Sequence, residues 1–271
     1  MSFRLRHILL IFLLSGAASV SAQDSNQDDY YALILSYVDK IENIYNGNWA
    51  YSYTIVDRLE QETRTIRRDN SLPFLEREQL LAVNGHPPSE ERLQEHREER
   101  ERAQQRREER RAEEERARRA GREVEARDER DEKQRFVDML IPESIHLISQ
   151  EDGLLTLGFR AIEEEREKIY EYIRGTLVID TDAGYIRELQ VHVIEPFAPF
   201  FLSHVEDGFF SVRFELVDGV PMQKEVTWRL NGRAFFIRNL DADREISWMD
   251  LERINPELAE NNQNSSDSSV N

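Results

Sequence analysis

From Ile145 onward this chain is punctuated at short, even intervals by turn-forming residues, and that spacing constrains its fold more than any other feature. Glu151-Asp152-Gly153, Asp182-Ala183-Gly184, Glu206-Asp207-Gly208, Asp218-Gly219 and Asn231-Gly232 are hairpin-type sequences. Between them apolar and polar residues alternate. Leu189, Val191 and Val193 oppose Glu188, Gln190 and His192; Phe210, Val212, Phe214 and Leu216 oppose Ser211, Arg213 and Glu215; Val226, Trp228 and Leu230 oppose Glu225, Thr227 and Arg229. Alternation with period two predicts antiparallel strands with one apolar and one wet face. A parallel α/β sheet needs helices between its strands, and no helical pattern interrupts this stretch.

The same logic extends toward the N-terminus. Tyr31, Ile34, Leu35, Val38, Ile41 and Ile44 recur at three- and four-residue spacing, which predicts an amphipathic helix over residues 30–45, stopped by Asn46-Gly47. Trp49, Tyr51, Tyr53 and Ile55 alternate with Ala50, Ser52 and Thr54, predicting a strand over 49–57, with further strands at 62–68 and 78–84. The expected class is α+β, mainly antiparallel β: a meander of about ten strands, long enough to curl into a half-barrel, covered by the N-terminal helix and by the short segment 136–141.

Residues 88–134 are a different material, almost wholly Glu, Arg, Gln and Ala. Glu98/Arg102, Glu114/Arg118, Glu115/Arg119, Glu123/Arg127 and Glu129/Lys133 are favourable i,i+4 pairs, each worth about 0.2–0.5 kcal/mol. Leu93, Val124 and scattered alanines are too few for the apolar seam of a coiled coil. The expectation is a solvated charged helix, on the order of 70 Å long if continuous, inserted into the β domain. An insertion of that kind is dispensable, so deleting 88–134 should leave a folded β domain.

Residues 1–22 have the pattern of a secretory signal peptide: Arg4 and Arg6, an apolar run over 8–14, and Val20-Ser21-Ala22 before a cleavage point. The expected organisation is then a leader (1–22), a helix with the first strands (23–87), the charged helix (88–134), the rest of the β domain (135–254) and an Asn/Ser/Asp-rich disordered tail (255–271). With no cysteine the domain has no disulfides and no lipid-bearing cysteine, and the net charge of −18 disfavours nucleic acid and anionic surfaces as partners. No mature segment is apolar over the roughly 20 residues that span a bilayer.

Catalytic motifs are lacking. The histidines, His7, His86, His96, His146, His192 and His204, show no metal-ligand spacing, and there is no nucleophile elbow, phosphate-cradling glycine loop or dinucleotide fingerprint. Asp180-Thr181-Asp182 lacks the twelve-residue calcium loop. The chain reads as a non-enzyme without cofactor or metal. Two features carry a binding reading. Trp49, Tyr51 and Tyr53 are either core beneath the first helix or the wall of a ligand cavity. Phe197, Phe200 and Phe201, set among Pro196 and Pro199, are either core at a bend or an aromatic lip at a barrel mouth.

Tyr172-Ile173-Arg174-Gly175-Thr176-Leu177-Val178-Ile179-Asp180, then Tyr185-Ile186 and a strand reaching Glu195-Pro196-Phe197, with Gly219-Val220-Pro221 and Gly232-Arg233-Ala234-Phe235-Phe236 beyond, resemble the half-open barrels of periplasmic lipoprotein-sorting carriers and the related envelope-stress regulator RseB. The likeness spans the mature chain apart from the charged helix, which lies outside that family's plan, and the tail. It implies a protein of the Gram-negative periplasm that binds a lipid, an acyl chain or a lipidated protein. The alternative is an envelope protein-interaction or regulatory module that docks a protein partner through the charged helix.

Overall fold

The structure is a computed structural model that describes residues 18–42, 44, 49–119, 137, 140–160, 172–198, 203–234, 238–239 and 241–254. A helix, α1 (Ala18–Val38), precedes three strands, β1 (Trp49–Asp57), β2 (Glu62–Asp69) and β3 (Glu78–Val83). A second helix, α2 (Glu90–Arg119), follows, then a short 3-10 turn at Pro142–Ser144. The remaining strands are β4 (His146–Glu151), β5 (Leu154–Phe159), β6 (Ile173–Asp180), β7 (Tyr185–Val193), β8 (Ser203–Val217), β9 (Val220–Ala234), β10 (Arg238–Asn239) and β11 (Ala242–Arg253).

The strands form one open antiparallel sheet in the order β3-β2-β1-β11-β9-β8-β7-β6-β5-β4, with β10 paired to β9 off this path. The α+β class, mainly antiparallel, is as the alternation predicts. Most neighbours are successive strands, but β1 pairs with β11, so the N-terminal three-stranded unit is joined to the last long strand. The two edges, β3 and β4, are therefore also successive in sequence. Residues 84–145, the charged helix among them, connect opposite edges of the sheet rather than looping out of one hairpin. Ten strands at about 4.8 Å spacing place those edges about 43 Å apart along the sheet. Local sequence does not show that this segment spans the width of the sheet, because the β1–β11 pairing that sets β3 and β4 at opposite edges is non-local.

Three expectations are corrected. Glu206-Asp207-Gly208 and Asn231-Gly232 are not turns; they lie inside β8 and β9 and face each other, with Asp207 opposite Asn231 across a register shift between Val205 and Asp207. Turn residues serve a bulge equally well, and a Cβ on Gly232 would stand 2.5 Å from the His204 carbonyl oxygen. Asp152-Gly153, Asp182-Ala183-Gly184 and Asp218-Gly219 do turn the chain, with Asp152, Gly153, Gly184, Asp218 and Gly219 at positive φ. The helix expected over 30–45 instead ends at Val38, where the Ile41 N–H bonds the Val38 carbonyl and the Glu42 N–H bonds the Pro221 carbonyl of β9. The sheet captures the chain before another helical turn can form. Finally, α2 is not free of the sheet: Arg92 pairs with Glu62, Arg64 with Glu99 at 3.8 Å, and Arg100 with Glu78 at 2.7 Å.

Residues 1–17 and 255–271, the leader and tail expectations, lie outside the described residues apart from 18–22, which begin α1. No described helix is long and apolar enough to cross a membrane.

Candidate functional site

One face of the sheet carries an apolar row that crosses eight strands through directly paired positions: Ile55, Ile246, Val226, Val212, Leu189, Leu177, Leu157 and Leu147. The β1–β11 register puts Ile55 in line with the later meander. A second row runs alongside it through Arg244, Trp228, Phe210, Val191, Gly175 and Phe159. Phe159 lies over Gly175, where an added Cβ would stand 2.0 Å from the ring, so only glycine admits the aromatic there.

Burial along these rows is uneven. Leu157, Leu177, Ile179 and Ile186 are sealed in a cluster with Ile34 and Val38 of α1, Leu140 and Ile145. Val212 and Val226 belong to a second buried cluster with Ile44, Trp49, Tyr51, Met222 and Trp248. Ile246 and Trp228 pack against the second cluster but are only half-buried, Ile55 and Val191 are half-buried, and Phe210 is 38% exposed. At the first of the two edges, Arg64 stands opposite Ile55 and ends the apolar row.

Glu42 and Ile44 form a strap across the second cluster. Glu42 bridges to Met222 in parallel, Ile44 is buried, and the Glu42 carboxylate accepts from the Trp49 indole N–H at 2.9 Å and from Arg253 at 3.2 Å. The Arg253 guanidinium sits 4.9 Å from the Trp49 ring centroid. Trp49 and Tyr51 are fully enclosed, Tyr53 is half-buried, and the two tyrosine rings lie 6.1 Å apart. Burial first, and the Glu78 carboxylate next, push the Tyr53 hydroxyl above its ordinary range. In this arrangement Trp49 and Tyr51 are core beneath the strap.

Phe197 is half-buried, stacked on Tyr172 with ring centroids 5.4 Å apart, and pinned by reciprocal backbone hydrogen bonds to Val205. Phe200 and Phe201, with which it was expected to form a lip, lie outside the described residues.

At the β2–β3 edge the chemistry changes. The loop between these strands holds the Phe74 ring against α2, with the Arg100 and Arg107 guanidinium carbons 4.2 and 5.5 Å from its centroid. Arg100 also donates to the Phe74 carbonyl at 2.5 Å. Glu78 takes Arg68 on one carboxylate oxygen at 2.9 Å and Arg100 on the other at 2.7 Å. Arg77 donates through Nε to the Leu72 carbonyl at 2.6 Å. Burial first, and then the charges of Arg68, Arg107 and Arg100, pull Arg77 below the ordinary arginine range. This four-arginine cluster escaped the sequence reading, which treated α2 as one solvated surface. The available signal was the stripe Leu93, His96, Arg100, Ala103 and Arg107, spaced three and four residues apart and half-buried throughout.

Histidines contribute no centre. His146 Nδ1 lies 2.9 Å from the Ser144 carbonyl oxygen, His192 Nε2 lies 3.3 Å from Gln190 Oε1, and His86 and His204 are exposed. Among the described residues no three His, Asp or Glu side chains are placed to hold a metal ion. In comparisons with known proteins the chain matches no family model, no curated sequence and no solved structure.

Proposed function

We propose that this protein is a non-catalytic carrier or binding protein of the Gram-negative periplasm, exported by its N-terminal leader, which holds a lipid, an acyl chain or a lipidated protein on the apolar face of a curved half-barrel sheet. The observation that carries the reading is the incomplete burial of the apolar rows: they continue past α1 and the strap to half-buried Ile55, Ile246 and Trp228 and exposed Phe210. An apolar chain laid along these residues gains about 0.8 kcal/mol for each methylene removed from water. The strap of Glu42 and Ile44 is the natural gate, because lifting Ile44 and breaking the Glu42–Trp49 hydrogen bond uncovers Trp49 and Tyr51.

The test is native mass spectrometry of the protein purified from a bacterial periplasm without detergent, followed by organic extraction. The expected result is an adduct with the mass of a phospholipid or fatty acid, lost when Phe210→Glu places a charge on the row. A bare chain mass would instead favour the interaction module. One observation already points that way: edge strand β4 presents Leu147 and Ile148 at 45% and 55% exposure, the kind of edge that a partner strand extends.

A further inference from the structure

We infer that the arginine cluster around Phe74 is a binding site for a phosphate-class oxyanion. Arg68, Arg77, Arg100 and Arg107 converge on one loop and one turn of sheet edge in a chain whose net charge is −18. By contrast Arg58 is matched by Asp243 and Glu245, and Arg244 by Asp57. Here Arg68 and Arg100 occupy both oxygens of Glu78. Among the described residues neither Arg77 nor Arg107 has a carboxylate within ion-pair distance: Arg77 has the Leu72 carbonyl and Arg107 the Phe74 ring.

Arginine cannot relieve such crowding by losing its proton, since the guanidinium stays charged in proteins. Arg100 is also held with its Nε buried and without a hydrogen-bond acceptor, although its side chain is only 14% exposed. Cations without counter-charges are neutralised by a multivalent anion with several acceptor oxygens, which the guanidinium groups of Arg77 and Arg107 could bind. Forked guanidinium donors match the geometry of phosphate oxygens, and the arginine stems packed on Phe74 hold the forks in place before the anion arrives. The Arg77 shift has the sign this crowding demands.

Inorganic phosphate and the headgroup of a phospholipid present the same chemistry. The test follows thermal unfolding of the full chain against inorganic phosphate, with sodium chloride at matched ionic strength as reference, and against vesicles of phosphatidylglycerol or of phosphatidylcholine. A specific site raises the melting temperature in phosphate beyond the chloride reference, and Arg107→Gln or Arg77→Gln weakens phosphate binding by about tenfold or more. In phosphate-free buffer Arg107→Gln melts at or above the parent temperature, because it removes a like charge. Arg119→Gln, on a residue 81% exposed at the far end of α2, leaves the phosphate response intact. A response to inorganic phosphate marks a soluble ligand; a response to the vesicles alone, still lost in Arg107→Gln, marks a headgroup. Equal behaviour of parent and Arg107→Gln in every arm, or no response beyond chloride, overturns the inference. None of these outcomes bears on whether an acyl chain is extracted from the protein, so this site and the carrier reading stand or fall separately.

Discussion

The β5–β6 region and the β2–β3 edge carry the same face of one sheet, yet opposite chemistry closes them. Over β5 and β6, Ile34 and Val38 of α1 meet Leu155, Leu157, Leu177 and Ile179 in one buried apolar cluster. Over β2 and β3, α2 approaches through arginine and glutamate: Arg92 to Glu62, Arg64 to Glu99, Arg100 to Glu78. The first contact is non-directional and insensitive to ionic strength; the second is made of discrete, part-exposed pairs that salt screens. A protein that must admit a ligand to part of a face can keep one side permanently packed and let the other be adjustable. The contrast also explains how α2 docks on the sheet without an apolar stripe. Arginine stems cover the sheet edge while the charged heads find carboxylates or the Phe74 ring.

The largest expected effect comes from removing the connection between these two regions. Deleting residues 88–134 leaves about six residues, reaching about 20 Å at most, between Val83 on edge strand β3 and Val137 in the α1 cluster over β5, β6 and β7, about 29–38 Å away along the sheet. Cooperative unfolding should be lost, and a flexible linker of the original length should restore it. Full cooperativity in the short deletion would show that the edges lie close together. Next comes the packed side. Leu157→Ala removes a fully buried side chain and should cost about 2–5 kcal/mol in denaturant unfolding, unchanged between low and high salt. On the charged side, Glu78→Gln strips Arg68 and Arg100 of their shared carboxylate and should cost about 1.5–3 kcal/mol, falling as salt is raised. Equal salt dependence of the two variants would erase the distinction between the regions.

The two regions also differ in how far they could be read from sequence. Strand β1 falls on residues 49–57 as its alternation predicts, and Asp152-Gly153 and Asp218-Gly219 turn where the dipeptides say they should. These are local effects of backbone sterics and period-two patterning. The turn signals at 206–208 and 231–232 misled because one dipeptide suits both a hairpin and a bulge, and the choice depends on the strand opposite. The charged edge was opaque for a related reason. Arg100 and Arg107 look like solvent-facing residues until the β2–β3 loop places Phe74 beneath them, and nothing in a run of alternating charges says which face meets a sheet. Trp49 and Tyr51 were legible as aromatic and inward-facing, but the strap that encloses them depends on Glu42 meeting Trp49, Met222 and Arg253 from three distant segments.

The smallest effect tests whether α2 is one object or two. Its near part touches the sheet; its far part holds the Glu115–Arg119 pair at 3.0 Å, with both side chains largely exposed. Glu115→Ala removes one i,i+4 pair in water, worth about 0.2–0.5 kcal/mol, while installing a better helix former. The two changes nearly cancel, so global unfolding should move by less than about 0.5 kcal/mol. Hydrogen exchange should nevertheless separate the halves, with backbone amides around Leu93–Arg100 protected for longer than those around Glu113–Arg119, in the variant as in the parent. If the far half is protected as strongly as the near half, then α2 is held along its whole length, and the contrast between a packed region and an adjustable one would have to be redrawn around a fully docked helix.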